Sequence, residues 1–282
     1  MKRILLITLA LALASPAYAR MSLPFIGTAV VSGETPTDYT NDANCIAAFF
    51  MNSAGDETDQ TGNGNTLTEG TAGDIPTSSD VPSGYSGTSR DFDNDDDEGL
   101  YQADGGDLDI SGNQDFSLVA WVKAETAALS MMLIGKYTST LDNRQYQIGY
   151  RTDSDSMNGY VSADGTNFSK AIGATTTIDD GNWHHVAMVF NYDAGGSTIT
   201  IYVDGDEDTN STNNPKSHTG GIYDGDAIFG LGAAYSTAAI IADSTWDGKI
   251  DEVGVFDRVL SESEIEEIMA TGLDGSNGGN DS

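Results

Sequence analysis

Short apolar segments of strand length, separated by clusters of glycine, aspartate, asparagine and serine, constrain this chain more than any other feature. In Thr198–Val203, Ile199, Ile201 and Val203 alternate with Thr200 and Tyr202. Successive side chains of a strand point to opposite faces, so this segment has one apolar face and one more polar face. Asp204-Gly205 follows, a dipeptide that tolerates positive φ and turns the chain. Phe116–Lys123, Met131–Lys136, Tyr146–Arg151, Trp183–Asn191, Ala227–Leu231 and Lys249–Phe256 read as further strands. Trp183–Asn191 is apolar on both faces at its centre, which suits a strand well inside a sheet. One helix is expected, where Ser261 and Glu264 form an S-x-x-E capping box ahead of Ile265, Ile268 and Met269. Many strands and one short terminal helix predict an all-β, two-sheet antiparallel sandwich, because each sheet must bury one face on another layer.

Met1-Lys2-Arg3, the apolar run Ile4–Ala14 and the site Ala17-Tyr18-Ala19 predict a secretory signal peptide over residues 1–19. The run is too short to span a bilayer. Residues 20–42, with Pro24 and Pro36, read as an extended leader or linker. One domain is expected over 43–273. The tail 274–282 has no apolar residue and is expected to be disordered. Twelve Lys and Arg stand against 44 Asp and Glu, a formal charge of −32. That surface repels phosphate backbones and anionic lipid heads, so neither nucleic acid nor membrane insertion is expected. It favours dissolved cations, neutral ligands or basic partners. Cys45 is the single cysteine, so no intramolecular disulfide can form. It lies in the apolar run Cys45–Phe50 and reads as a buried small hydrophobe.

Five segments carry a family resemblance. They are Phe116-Ser117-Leu118-Val119-Ala120-Trp121-Val122-Lys123, Gly181-Asn182-Trp183-His184-His185-Val186-Ala187, Ile201-Tyr202-Val203-Asp204-Gly205, Gly248-Lys249-Ile250-Asp251-Glu252-Val253 and Leu260-Ser261-Glu262-Ser263-Glu264-Ile265. Their order and spacing resemble the laminin G-like, concanavalin A-like jelly-roll modules of secreted bacterial proteins. Asp59-Gln60-Thr61-Gly62-Asn63-Gly64-Asn65 resembles the loop after that family's opening strand. The resemblance implies two packed antiparallel sheets, often a bound calcium, and often glycan or protein binding. Fold does not fix function, so the sites need their own argument.

Under strict alternation Asp251 shares a strand face with Val253 and Val255, and a carboxylate beside an apolar row needs a partner. The Asp59–Asn65 loop offers a carboxylate, side-chain amides and backbone carbonyls freed by Gly62 and Gly64. Calcium takes oxygens from such flexible sources. A structural calcium on Asp59, Asn63, Asn65 and Asp251 is one expectation. A turn satisfied by its own hydrogen bonds, with Asp251 held by backbone amides, is the other. Zinc is not expected, since one Cys and three His lack ligand spacing. The acidic run Asp91–Glu98 misses the EF-hand pattern, because its glycine, Gly99, comes one residue late. It reads as a solvated, charged edge.

His184 and His185 would point to opposite faces of a strand and cannot act as a catalytic pair. No strand carries the E-x-D-x-x-E pattern of glucanases that share this fold, and G-x-S-x-G is absent, so no enzyme is expected. Trp246, which lies beside a loop, and Tyr223 and Tyr235 are the candidate ligand-binding aromatics, with core packing as the alternative. The sequence thus predicts a secreted, non-catalytic module for a glycan or an extracellular polymer. A structural or adhesive surface protein is the second reading, and a hydrolase or lyase of the same fold the third.

Overall fold

The computed structural model describes residues 35–70, 75–94, 98–125, 130–138, 142–173, 176–210, 212–236, 239–241 and 245–277. The expected signal peptide, most of the expected leader, the centre of the acidic run (95–97) and the last five residues lie outside them. A nine-stranded sheet contains, in spatial order, β13 (Asp206–Glu207), β12 (Ser197–Val203), β11 (His184–Asn191), β6 (Phe116–Ala124), β18 (Gly248–Phe256), β4 (Ser89–Phe92) and β3 (Thr77–Ser78). β14 (Lys216–His218) joins it at β12, and β1 (Cys45–Phe49) at β18. A seven-stranded sheet runs β10 (Ser169–Ile172), β9 (Ser156–Gly165), β8 (Asn143–Arg151), β7 (Met131–Thr138), β15 (Phe229–Leu231), β5 (Leu100–Gln102) and β2 (Thr68–Glu69). β16 (Tyr235–Ser236) and β17 (Ala239–Ile240) form a small hairpin, and α1 spans Glu262–Thr271. The named strand pairs are antiparallel.

Alternation places the core. Leu118, Ala120 and Val122 of β6, with Val186, Met188 and Phe190 of β11, enter the main apolar cluster. It also takes Leu133, Tyr146, Ile148, Tyr150 and Val161 from the facing sheet. Val119, Ala187 and Val189, one residue out of step, point the other way. They meet Tyr39, Leu260, Ile265, Ile268 and Leu273 in a second cluster. α1 therefore lies on the outer face of the nine-stranded sheet. Its capping box is formed: Ser261 Oγ accepts from Glu264 N, and the Glu264 carboxylate accepts from Ser261 N at 2.8 Å. Among the described residues no helix lies on the outer face of the seven-stranded sheet over β7–β10, although Met132, Gln147, Asn158 and Tyr160 on that face are buried by their neighbours. The β16–β17 hairpin flanks it on the β15 side, where the Tyr235 ring packs over Gly230.

All seven strands expected from the sequence are present, with ends moved by a few residues. β9 is not among the strands expected from the sequence, and it carries Asn158, Gly159, Ser162 and Asp164. It forms because it pairs with β8 on one side and β10 on the other, while Met157, Gly159 and Val161 face the core. The expected domain limits also move outward. Tyr39 is buried and its hydroxyl donates to Glu267 at 2.9 Å, so residues 37–42 belong to the sandwich. Asn277 N donates to Thr271 O, and Ser86 N to Asn277 O, which ties 274–277 to the helix end. Among the described residues no helix is long and apolar enough to cross a membrane.

Candidate functional site

Register brings a set of polar and aromatic residues onto this outer face, where Phe168 is exposed, Arg151 and Lys170 are partly exposed, and Gln147, Asn158 and Tyr160 are buried. Gly135 of β7 faces Gln147 of β8, Gln147 faces Tyr160 of β9, and Tyr160 faces Lys170 of β10. The next row sets Gly149 against Asn158. Gly135 and Gly149 are enforced by packing, since a Cβ on either would collide with a carbonyl oxygen of the neighbouring strand. Tyr137, at the end of β7, pairs with Arg144 of β8.

Phe168 comes from the β9–β10 turn. Asp164 builds that turn by accepting from Thr166 N, Asn167 N and Asn167 Nδ2 at 2.7–2.9 Å. These bonds, that from the Asn167 side chain foremost, pull its pKa down to about 2, so it stays ionised. Phe168 is 44 % exposed, the one large apolar side chain so placed among the described residues. Beneath it Tyr160 packs edge-on, with ring centroids 5.1 Å apart at 70°. Tyr137 lies 6.5 Å from Phe168 and 6.1 Å from Tyr160. Burial raises the pKa of the Tyr137 and Tyr160 phenols, the latter to about 12, so both remain neutral. Arg144 stands 5.9 Å over Tyr137 and 5.7 Å over Phe168, and Lys170 stands 5.7 Å over Tyr160.

Next to this cluster is a cleft of about 190 Å³ lined by Met132, Tyr137, Gln147, Arg151, Ala234 and Ile241, among others. Among the described residues its lining contains no carboxylate, while Asp153 lies 3.7 Å from Arg151, which lines it. A second recess, on the far side of Phe168, is lined by Asp164, Asn167, Phe168, Ser169 and His218, among others. An exposed ring with cations nearby and a polar recess beside it can stack on a sugar ring and hydrogen-bond its substituents.

The sequence-derived candidates lie elsewhere. Asp59, Asn63 and Asn65 are together, but their polar atoms are turned inward. Asp59 accepts from Ala48 N, Thr61 N, Thr61 Oγ1 and Asn65 N. Asn63 and Asn65 donate to the Cys45 and Ile46 carbonyls. Asp251 is not with them. Its neighbours are Glu252, Glu57 and Trp121, and it accepts only from Glu252 N. A bulge explains the displacement. Glu252 has φ +48°, and β18 changes partner there from β4 to β1. Alternation breaks at that point, and Asp251 does not share a face with Val253 and Val255. The four residues therefore do not fit one calcium ion, and no group of three acidic, His or Cys side chains suited to a metal occurs among the described residues. The self-bonded turn is the arrangement found.

Trp246 and Tyr235 are fully buried and offer no ring face to a ligand. Tyr223 is half-buried, its ring packed on Gly165 and Gly225. His184 lies between Asp204 (2.9 Å) and Asp180 (3.1 Å), while His185 is buried against Trp121. The two rings have separate surroundings, as strand alternation requires. In the acidic run, Asp91 pairs with Lys249, and Glu98 accepts from Asp93 N. The outer-face residues went unread, though a signal existed. In Tyr146–Arg151, the positions alternating with Tyr146, Ile148 and Tyr150 carry Gln147, Gly149 and Arg151.

A family model described as the concanavalin A-like lectin/glucanases superfamily (laminin G type 3) matches residues 95–266. The chain belongs to this family. Among curated proteins none matches it. Solved structures share the fold at low identity. The binding domain of Paraclostridial Mosquitocidal Protein 1 is 15 % identical with a TM-score of 0.60, over 82 % of this chain and 52 % of that one. Domain 4 of AbnA, an extracellular arabinanase of Geobacillus stearothermophilus solved with arabinotriose, is 20 % identical with a TM-score of 0.51, over 80 % of this chain and 98 % of that one. Trypanosoma rangeli sialidase, solved with sialic acid, is 16 % identical with a TM-score of 0.56, over 85 % of this chain and 34 % of that one. The chain thus spans about half of the mosquitocidal domain and a third of the sialidase.

Proposed function

We propose that this chain is a secreted, non-catalytic binding module that takes a glycan, as part of an extracellular polymer, on the outer face of its seven-stranded sheet. The observation that carries the reading is Phe168, an exposed ring held edge-on by Tyr160, flanked by Arg144, and lining a recess with Asn167, Ser169 and His218. The solved neighbours support it, since they include toxin binding domains and an arabinanase domain holding an oligosaccharide. Calcium forms no part of this site. Affinity measured against immobilised polysaccharides tests the reading. Phe168→Ala is expected to weaken binding about tenfold or more, the scale for losing an anchoring aromatic. Its melting temperature should barely move, because the ring is exposed. Unchanged affinity in Phe168→Ala would move the site to another surface.

A further inference from the structure

We infer that the glycan bound on this face carries an anionic group, a carboxylate or a sulfate, seated between Arg151 and Lys170. The inference rests on the binding role proposed above and names the ligand class for that site.

The contrast among the chain's few cations points to it. Lys123, Lys136, Lys249, Arg90 and Arg258 each close an ion pair of 3.1 Å or less with an acid. Their charge is consumed inside the fold. Arg151 and Lys170 are held differently: they share one carboxylate, Asp153, at 3.7 and 3.6 Å. At ion-pair range, two positive charges face one negative, and the other acid of that turn, Asp155, is engaged by the Tyr150 hydroxyl at 2.6 Å. The distances exceed hydrogen-bond length, so donors remain for a ligand oxygen.

The two cations sit where a sugar would lie. Arg151 lines the main cleft, and Lys170 stands over Tyr160. In the amide orientation that satisfies both its ends, Asn158 Oδ1 accepts from Lys170 Nζ at 3.3 Å and holds the ammonium at the site. The chain as a whole is strongly negative, which opposes an acidic polymer at long range. Screening confines that opposition, because the Debye length at physiological salt is only about 8 Å. At ion-pair range the two cations outweigh Asp153.

The test uses the full chain and paired polysaccharides that differ only in charge: polygalacturonate and its methyl ester, alginate and its propylene glycol ester, dextran sulfate and dextran. Affinity is measured by calorimetry or retardation in gels that contain the polymer. The expected result is preference for an acidic member over its neutral twin by about tenfold or more, with loss of that preference in Arg151→Gln and in Lys170→Gln. Both side chains are partly exposed, so thermal melts should show that both variants fold, and either one suffices. Phe168→Ala should weaken binding to acidic and neutral members alike. Equal affinity for the twins, or an acidic preference untouched by both Gln variants, overturns the anionic inference and leaves the binding role intact. No binding to any member overturns both. Binding to phosphatidylserine vesicles and to no polysaccharide overturns the glycan as the anion's carrier.

Discussion

Glu252 occupies a left-handed backbone position, φ +48°, inside a buried bulge. One of its carboxylate oxygens accepts from Leu273 N at 2.9 Å, and the other has no partner among the described residues. Burial pushes its pKa up to about 7. Glu57 is also raised to about 7, because burial outweighs an Arg90 guanidinium 3.7 Å away. Asp251 is raised as well, by burial and then by the charge of Glu252. His185, buried on the same sheet face, is pushed down to about 4 and brings no compensating charge. A carboxyl whose folded pKa exceeds its unfolded value keeps its proton better when folded. Its contribution is intact below the unfolded pKa and is lost as pH rises through the folded one. His184 adds to the same trend. Burial opposes its charge, but Asp204 and Asp180 outweigh burial and raise its pKa, so its stabilisation also fades as pH rises. At the acid end the sign reverses. Burial opposes ionisation of Glu264, yet Arg258 and Ser261 hold its pKa low, and that stabilisation is lost as pH falls. The melting midpoint should therefore be higher near pH 5.5 than near pH 8, by about 5 °C or more. Glu252→Gln keeps an acceptor for Leu273 N and removes the titration, so it should flatten that slope. Melts across this range decide it: a midpoint that rises with pH in the wild type excludes the buried-acid account.

At the scale of elements, α1 closes one side of the sandwich and leans on its cap. Ser261→Ala removes an N-cap oxygen and half of a capping box, at a cost of about 1 kcal/mol. For a domain of this size the midpoint should fall by about 2–4 °C. Glu266→Ala, exposed on the same helix and outside the cap, is the control and should change little. Equal midpoints for the two variants would show that packing of Ile265 and Ile268, rather than the cap, fixes the helix start. The cap, the seven apolar strands and the sandwich were legible because each follows from a local rule: a box spacing, a period of two, a turn dipeptide. The outer face of the seven-stranded sheet was not. It depends on which residues of β7, β8, β9 and β10 stand in one row, and register is a long-range property that no single segment encodes. β9 was missed for a related reason: its glycine faces Ile201 and Met188 across the sandwich, a packing demand invisible along the chain. Asp251 was misplaced because alternation was carried through a bulge, and a bulge shifts every residue beyond it. Trp246 and Tyr235 were drawn to the surface by their loop neighbours, yet each fills space that only the folded sandwich creates.

The molecule as a whole is asymmetric. One outer face lies under α1, and the other presents rings and loosely paired cations within a chain of charge −32. That excess of acids bears on stability at long range, since like charges crowd when the chain compacts. The ion pairs pull the opposite way, but those near solvent contribute little: Lys123–Asp80, for example, has side chains 24 % and 41 % exposed. Added salt screens both effects. Repulsion among many separated acids reaches further than a contact pair, so screening removes more repulsion than attraction. Raising sodium chloride from about 0.02 M to about 0.5 M shortens the Debye length from roughly 20 Å to roughly 4 Å. The melting midpoint should then rise by several degrees, and most of the rise should come below about 0.15 M, where the screening length changes fastest. A rise only at much higher salt would instead reflect preferential exclusion of salt from the surface. Calorimetry across the series separates the two by the shape of the curve. A midpoint that falls over the low-salt range would mean that the buried pairs of Arg90 and Lys136, not the surface excess, set this protein's response to salt.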